Sequence, residues 1–93
     1  MKLIRDKYLQ IIPLNELEIK GADYDIKYLK EKLEEELNEL KQSDFKDIKE
    51  YADVFEVLEE LALRNNIPIL QIMIEKIQKN KDKGRFKNGI FFK

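Results

Sequence analysis

The stretch DIKYLKEKLEEELNELKQ, residues 25–42, decides the fold class. Ile26, Leu29, Leu33, Leu37 and Leu40 recur there at steps of three and four, which places them on one face of an amphipathic helix. Asp23 or Asp25 supplies its cap. Ser43-Asp44 then reads as a second cap, with a helix from Phe45 to about Arg64 ahead of the Asn65-Asn66 stop. Its main stripe is Ile48, Tyr51, Ala52, Phe55, Leu58 and Ala62. Val54, Val57 and Leu61 add an adjoining flank, for an apolar arc of about 220° at 100° per residue. Such a helix is central or faces two neighbours. Pro68 opens a third helix over about 68–82, with Ile69, Ile72, Met73 and Ile77 inward and a lysine-rich end that suits the macrodipole. After Gly84 the chain ends in the apolar, β-prone Ile90-Phe91-Phe92, expected to pack back on the body beside Leu17-Glu18-Ile19. Residues 1–24, with Pro13, Asn15 and Gly21, read as turns around short extended or helical pieces. The expected fold is all-α: one domain over residues 1–93, an antiparallel bundle of three main helices with short extended termini. The wide apolar arc exceeds what three short helices cover, so a homodimer or homotetramer is expected to complete it.

Composition narrows the chemistry. The chain has 18 basic and 19 acidic residues, so no global field favours nucleic acid or an anionic membrane as partner. It has no Cys and no His, which removes thiolate chemistry, the usual zinc sites and any imidazole base. Catalysis would fall to carboxylates, Lys, Tyr or a hard metal ion. Charges interrupt the apolar residues of MKLIRDKYLQII, unlike a signal peptide, and no apolar run approaches the ~20 residues of a membrane span. A cytoplasmic protein is expected.

Two acidic pairs at i, i+3 stand on consecutive helices: Glu36 with Glu39, and Glu50 with Asp53. Each pair projects from one side of its helix. Glu36 lies about 20° from the edge of the leucine stripe, and Val57 falls angularly between Glu50 and Asp53. Both pairs therefore border apolar surface. If the helices pack antiparallel, four carboxylates converge into an oxygen-rich site for Mg²⁺, with Mn²⁺ as substitute. Among nineteen acidic residues such pairs also arise as plain solvated surface, and Lys32, four before Glu36, reads as an ordinary surface ion pair.

The order of short motifs resembles the MazG-like, all-α nucleoside triphosphate pyrophosphohydrolase superfamily, and most closely its small phosphoribosyl-ATP pyrophosphohydrolase-like members. Residues 2–7, KLIRDK, look like that group's KLVRDK start. Residues 28–39, YLKEKLEEELNE, look like its YLxxKLxEExxE helix. Residues 50–58, EYADVFEVL, resemble its ExADVxEVL segment, and residues 84–91, GRFKNGIF, its closing GGFxxGIF. The motifs span nearly the whole chain. Two departures are the short gap between Glu39 and Glu50 and Arg85 in place of a glycine. The resemblance implies Mg²⁺-dependent hydrolysis of a nucleotide between its α and β phosphates, releasing a nucleoside monophosphate and pyrophosphate. It implies Glu36, Glu39, Glu50 and Asp53 as metal ligands, with Glu35 either supporting them from behind or facing solvent.

For the basic residues, solvated surface is the commoner role. Against it, Lys76, Lys79 and Lys83 share a face, and Arg5, Lys7 and Arg85 are expected near it, as counter-charge for a polyphosphate. Tyr8, Tyr28, Tyr51, Phe55 and Phe86 read as core rather than base-stacking groups. Two other functions fit the sequence: phosphoribosyl-ATP pyrophosphohydrolase of histidine biosynthesis, and a non-enzymatic helical module whose apolar flank binds a protein.

Overall fold

The computed structural model describes residues 1–93. Two short 3-10 turns, Asp6–Gln10 and Leu14–Glu16, precede three α-helices and no strand: α1 over Lys27–Gln42, α2 over Ile48–Arg64 and α3 over Ile69–Lys83. No helix is long and apolar enough to cross a membrane.

Of the two candidate caps for α1, Asp25 does the capping. Its Oδ1 accepts the Lys27 N–H at 2.9 Å, satisfying a donor that the first helical turn leaves free. The expected cap of α2 is corrected. Ser43 closes α1 instead, its hydroxyl donating to the Leu40 carbonyl at 2.7 Å. Asp44 (φ 56°) and Phe45 (φ 59°) then turn left-handed, which no continuing helix accommodates. The second helix consequently starts three residues later than its apolar pattern suggests. Asp47 caps it, Oδ1 accepting the Lys49 N–H at 2.9 Å. Tyr51 fastens the connector by donating its hydroxyl to the Phe45 carbonyl at 3.0 Å.

The core lies between α1 and α2, where Leu29, Leu40, Val54 and Val57 are buried; Ala62, near the end of α2, is buried as well. On α2 it is the Val54–Val57–Leu61 flank that meets α1, while Ile48, Tyr51, Phe55 and Leu58 of the main stripe are exposed. Both flanks are apolar, so hydrophobicity alone does not choose between them. Arg64 ties the far end of α2 to the segment before α1, donating to the Tyr24 carbonyl and stacking 4.7 Å above the Tyr24 ring.

Three core assignments are overturned. Of the α3 residues expected inward only Ile69 is half-buried, and Ile72, Met73 and Ile77 are exposed, because α3 touches α2 lightly and nothing covers its other side. The tail forms no strand, has no backbone hydrogen bond to Leu17–Ile19, and leaves Phe86, Ile90, Phe91 and Phe92 open to solvent. Tyr8, Tyr51, Phe55 and Phe86 are likewise exposed; of the five aromatics, Tyr28 alone is half-buried, with the Lys27 and Lys20 ammonium groups 5.1 and 5.8 Å from its ring.

The chain is accordingly open in shape. Its radius of gyration is 16.9 Å, whereas a compact chain of this length has about 12 Å. Its accessible surface is 8583 Å², against about 5,700 Å² for a compact monomer of this mass.

Candidate metal centre

Turning the valine flank of α2 toward α1 has a chemical consequence. Glu50 and Asp53 straddle Val57, so the packing that buries Val57 carries both carboxylates to α1, where Glu36 and Glu39 project. One carboxylate oxygen from each of Glu36, Glu39, Glu50 and Asp53 lies within 4.8 Å of the others, an arrangement able to hold a metal ion. The four residues singled out from spacing are therefore brought together.

Glu36 is the innermost, with 6% of its surface exposed. Burial pushes its carboxyl above the ordinary range; the Lys32 ammonium opposes that shift and neighbouring Glu39 adds to it. Its Oε1 takes a salt bridge from Lys32 at 3.2 Å, but Oε2 is buried with no hydrogen-bond partner. Glu50 Oε2 is in the same condition. Glu50 stands three residues after the Asp47 cap, where a glutamate ordinarily reaches back to the cap's own N–H. Here that N–H faces the Ser43 hydroxyl instead, at 3.5 Å. Two buried carboxylate oxygens without a hydrogen-bond partner cost folding free energy unless a proton, a water or a cation meets them.

Cations from outside the cluster already hold its rim. Arg5 donates to Asp53 Oδ1 at 2.6 Å. Glu35 is not among the four, but it is not simply solvated either: Lys2 meets it at 2.6 Å and Lys32 at 3.2 Å. Its burial would raise its carboxyl, yet these two bonds outweigh that and hold it below the usual range. Lys32 is largely buried between Glu35 and Glu36, which corrects its reading as an ordinary surface ion pair. With Lys2 matching Glu35, the four carboxylates face two direct cations, Arg5 and Lys32, leaving a formal deficit that one divalent ion would balance.

No family model, curated protein or solved structure matches this chain.

The cluster thus stands on its own geometry. Of the basic residues expected beside a polyphosphate, Arg5 alone touches it. Lys7, on the first 3-10 turn, Lys79 and Lys83, on α3, and Arg85, beyond it, are exposed and make no salt bridge. Lys2, within the opening KLIRDK motif, joins the rim through Glu35. Its proximity to Glu35 crosses 33 positions of sequence, and no periodicity reports such a contact. A shallow cavity of about 220 Å³ opens beside the rim, lined by Lys2, Leu3, Tyr28, Glu31, Lys32 and Glu35 among others.

Proposed function

We propose that this chain is a divalent-cation-dependent nucleotide pyrophosphohydrolase, adding water across the α–β phosphoanhydride to give a nucleoside monophosphate and pyrophosphate. The observation that carries the metal reading is the buried, unpartnered Oε2 of Glu36, a residue whose carboxylate belongs to a group of four. The motif order supplies the substrate class. We further read α1 and α2 as an antiparallel hairpin, since the acidic pairs sit near the 43–47 connector on both helices while Arg64 reaches Tyr24 at the opposite end.

The residues fit a hard cation. An octahedral ion with bonds near 2.1 Å separates trans ligands by about 4.2 Å, so the group has to close by about half an ångström around Mg²⁺ or Mn²⁺. Mutual repulsion holds bare carboxylates apart, and neutralisation relieves it. Glu36, Glu39, Glu50 and Asp53 are the ligands in this reading, and Glu35 positions Lys32 and Lys2. When bound, the ion lowers the pKa of water and neutralises phosphate oxygens. Asp53 then no longer needs Arg5, whose guanidinium is free to grip phosphate bidentately. Lys7, Lys79, Lys83 and Arg85 are proposed as further counter-charge, reached as the termini settle around the nucleotide.

Pyrophosphate release from a nucleotide panel with Mg²⁺ tests this, with phosphoribosyl-ATP included to separate general from histidine-pathway activity. Glu36→Gln and Asp53→Asn should each lower turnover beyond the ~10–100-fold that loss of a mere supporting partner costs a metal site. Glu31→Gln, on the exposed side of α1, should match wild type. Near-normal, chelator-resistant release by both charge-removing variants would sink the assignment.

A further inference from the structure

Lys32 is set among the carboxylates in a way that helix stability does not explain. It stands four residues before Glu36 on α1, and a lysine ahead of a glutamate stabilises a helix less than the reverse order does. Its side chain is nevertheless only 16% exposed. Burying an ammonium costs free energy unless its donors are met. Two carboxylates meet this one, Glu36 Oε1 and Glu35 Oε2, each at 3.2 Å. Glu35 is held in turn, its other oxygen taking the Lys2 ammonium at 2.6 Å. Lys2, Glu35, Lys32 and Glu36 thus form one line of alternating charge that ends on the most buried member of the cluster.

The line ends asymmetrically. Lys32 takes one oxygen of Glu36, and the other, Oε2, is buried with no partner. A metal ion drawing on both oxygens would have to share Oε1 with an ammonium, and two cations on one oxygen repel. Arg5 restricts Asp53 through Oδ1 in the same manner, but its side chain is 56% exposed and it precedes the first 3-10 turn, so it can withdraw. Lys32 shares a helix with Glu36 and is held by Glu35 from its other side, so it stays.

This restriction bears on which ion the cluster accepts. Ca²⁺ takes about 6–8 oxygens and commonly uses both oxygens of a carboxylate, whereas Mg²⁺ is confined to six at ~2.0–2.1 Å and keeps waters among them. Carboxylates that give one oxygen each therefore suit Mg²⁺ and leave Ca²⁺ at the low end of its range. We propose that Lys32 is a specificity-determining residue: by holding Glu36 Oε1 it confines Glu36 to offering a metal ion one oxygen, and so biases the cluster toward Mg²⁺ and against Ca²⁺. The inference rests on the metal reading and adds to it what sets the choice of ion.

Calorimetric titration of metal-free protein with Mg²⁺ alone and with Ca²⁺ alone tests this without any nucleotide. Lys32→Met keeps an apolar stem in the buried position and removes the ammonium. It should lower the ratio of Mg²⁺ to Ca²⁺ affinity by about 10–100-fold, the span that loss of a supporting partner covers at metal sites. Glu35→Ala releases Lys32 from its other side and should lower the ratio in the same direction. The two substitutions change the local charge in opposite senses. If Lys32 were counter-charge only, both affinities would rise together in Lys32→Met and fall together in Glu35→Ala, with the ratio unchanged. That outcome, in variants whose helix content matches wild type, overturns the proposal and leaves the metal site standing. Should Lys32→Met not fold, an unchanged ratio in Glu35→Ala overturns it alone. Wild type that binds neither ion overturns the metal reading and this inference with it. Glu31→Gln, on the same helix but outside the line of charge, should keep the wild-type ratio.

Discussion

Glu36 shows how one residue can be unfavourable to the bare fold and useful to a site. Its carboxyl is pushed up chiefly by burial, so the folded chain holds that proton more tightly than the unfolded chain does. The stability it contributes is full below the ordinary glutamate pKa of about 4.3 and is lost as pH rises through the raised value. Glu35 runs the opposite way, its contribution present above the ordinary value and lost as pH falls through its lowered one. In chelator at neutral pH, Glu36→Gln should therefore melt above wild type by several degrees, at about 4–8 °C per kcal/mol for a domain this size. Thermal scans against pH should show the gap closing as pH falls through the raised value toward about 4.3, and saturating Mg²⁺ should reverse the order. A constant gap at all pH values would show that the charge of Glu36 is not what the substitution relieves. Arg5 supplies a second test. Because it occupies Asp53 at 2.6 Å, Arg5→Gln should tighten Mg²⁺ binding as read by thermal shift, while pyrophosphate release falls. Weaker Mg²⁺ binding would mean that Arg5 builds the site rather than competes for it. The four carboxylates were legible because i, i+3 spacing and the apolar arc are properties of a single helix. The Arg5–Asp53 contact was not, since it joins positions 48 apart through the course of an aperiodic segment.

At the scale of elements, helix existence followed from leucine spacing, and helix ends followed from short polar side chains whose partners sequence leaves ambiguous. Ser43, Asp44 and Asp47 can all cap; the left-handed turn at Asp44-Phe45 selects Asp47. Asp47→Ala should cost about 1 kcal/mol, within the ~0.5–2 kcal/mol range for lost caps, and lower the midpoint by about 4–8 °C. Asp44→Gly, at φ 56°, should keep or raise the midpoint, since glycine takes that conformation without strain. A larger loss at Asp44 than at Asp47 in paired denaturation curves would restore the earlier helix start. The inward flank of α2 was illegible for a different reason. Two apolar flanks offer comparable burial, and the choice rests on the fit of Val54 and Val57 against α1, a property of the pair of helices. The same holds for α3, whose apolar residues form a clear stripe although the chain alone provides nothing to cover it.

For the whole molecule, the open shape makes stability a question of concentration. If two chains share the α2 face, unfolding separates them, and mass action ties the midpoint to protein concentration. A tenfold rise in concentration adds about 1.4 kcal/mol per dimer. Spread over an unfolding entropy of about 2.1 cal/mol/K per residue for the two chains together, this raises the midpoint by about 3–4 °C. Phe55→Asp should weaken the dependence and melt below wild type, because it sets a charge within a stripe that the second copy would cover. Glu36→Gln should keep the full dependence, since its carboxylate faces α1 and not the second copy. Calorimetric scans over a hundredfold concentration range read both. A midpoint flat with concentration in wild type would place the missing burial elsewhere, and α3 and the aromatic tail would then have to fold over the α2 stripe within one chain.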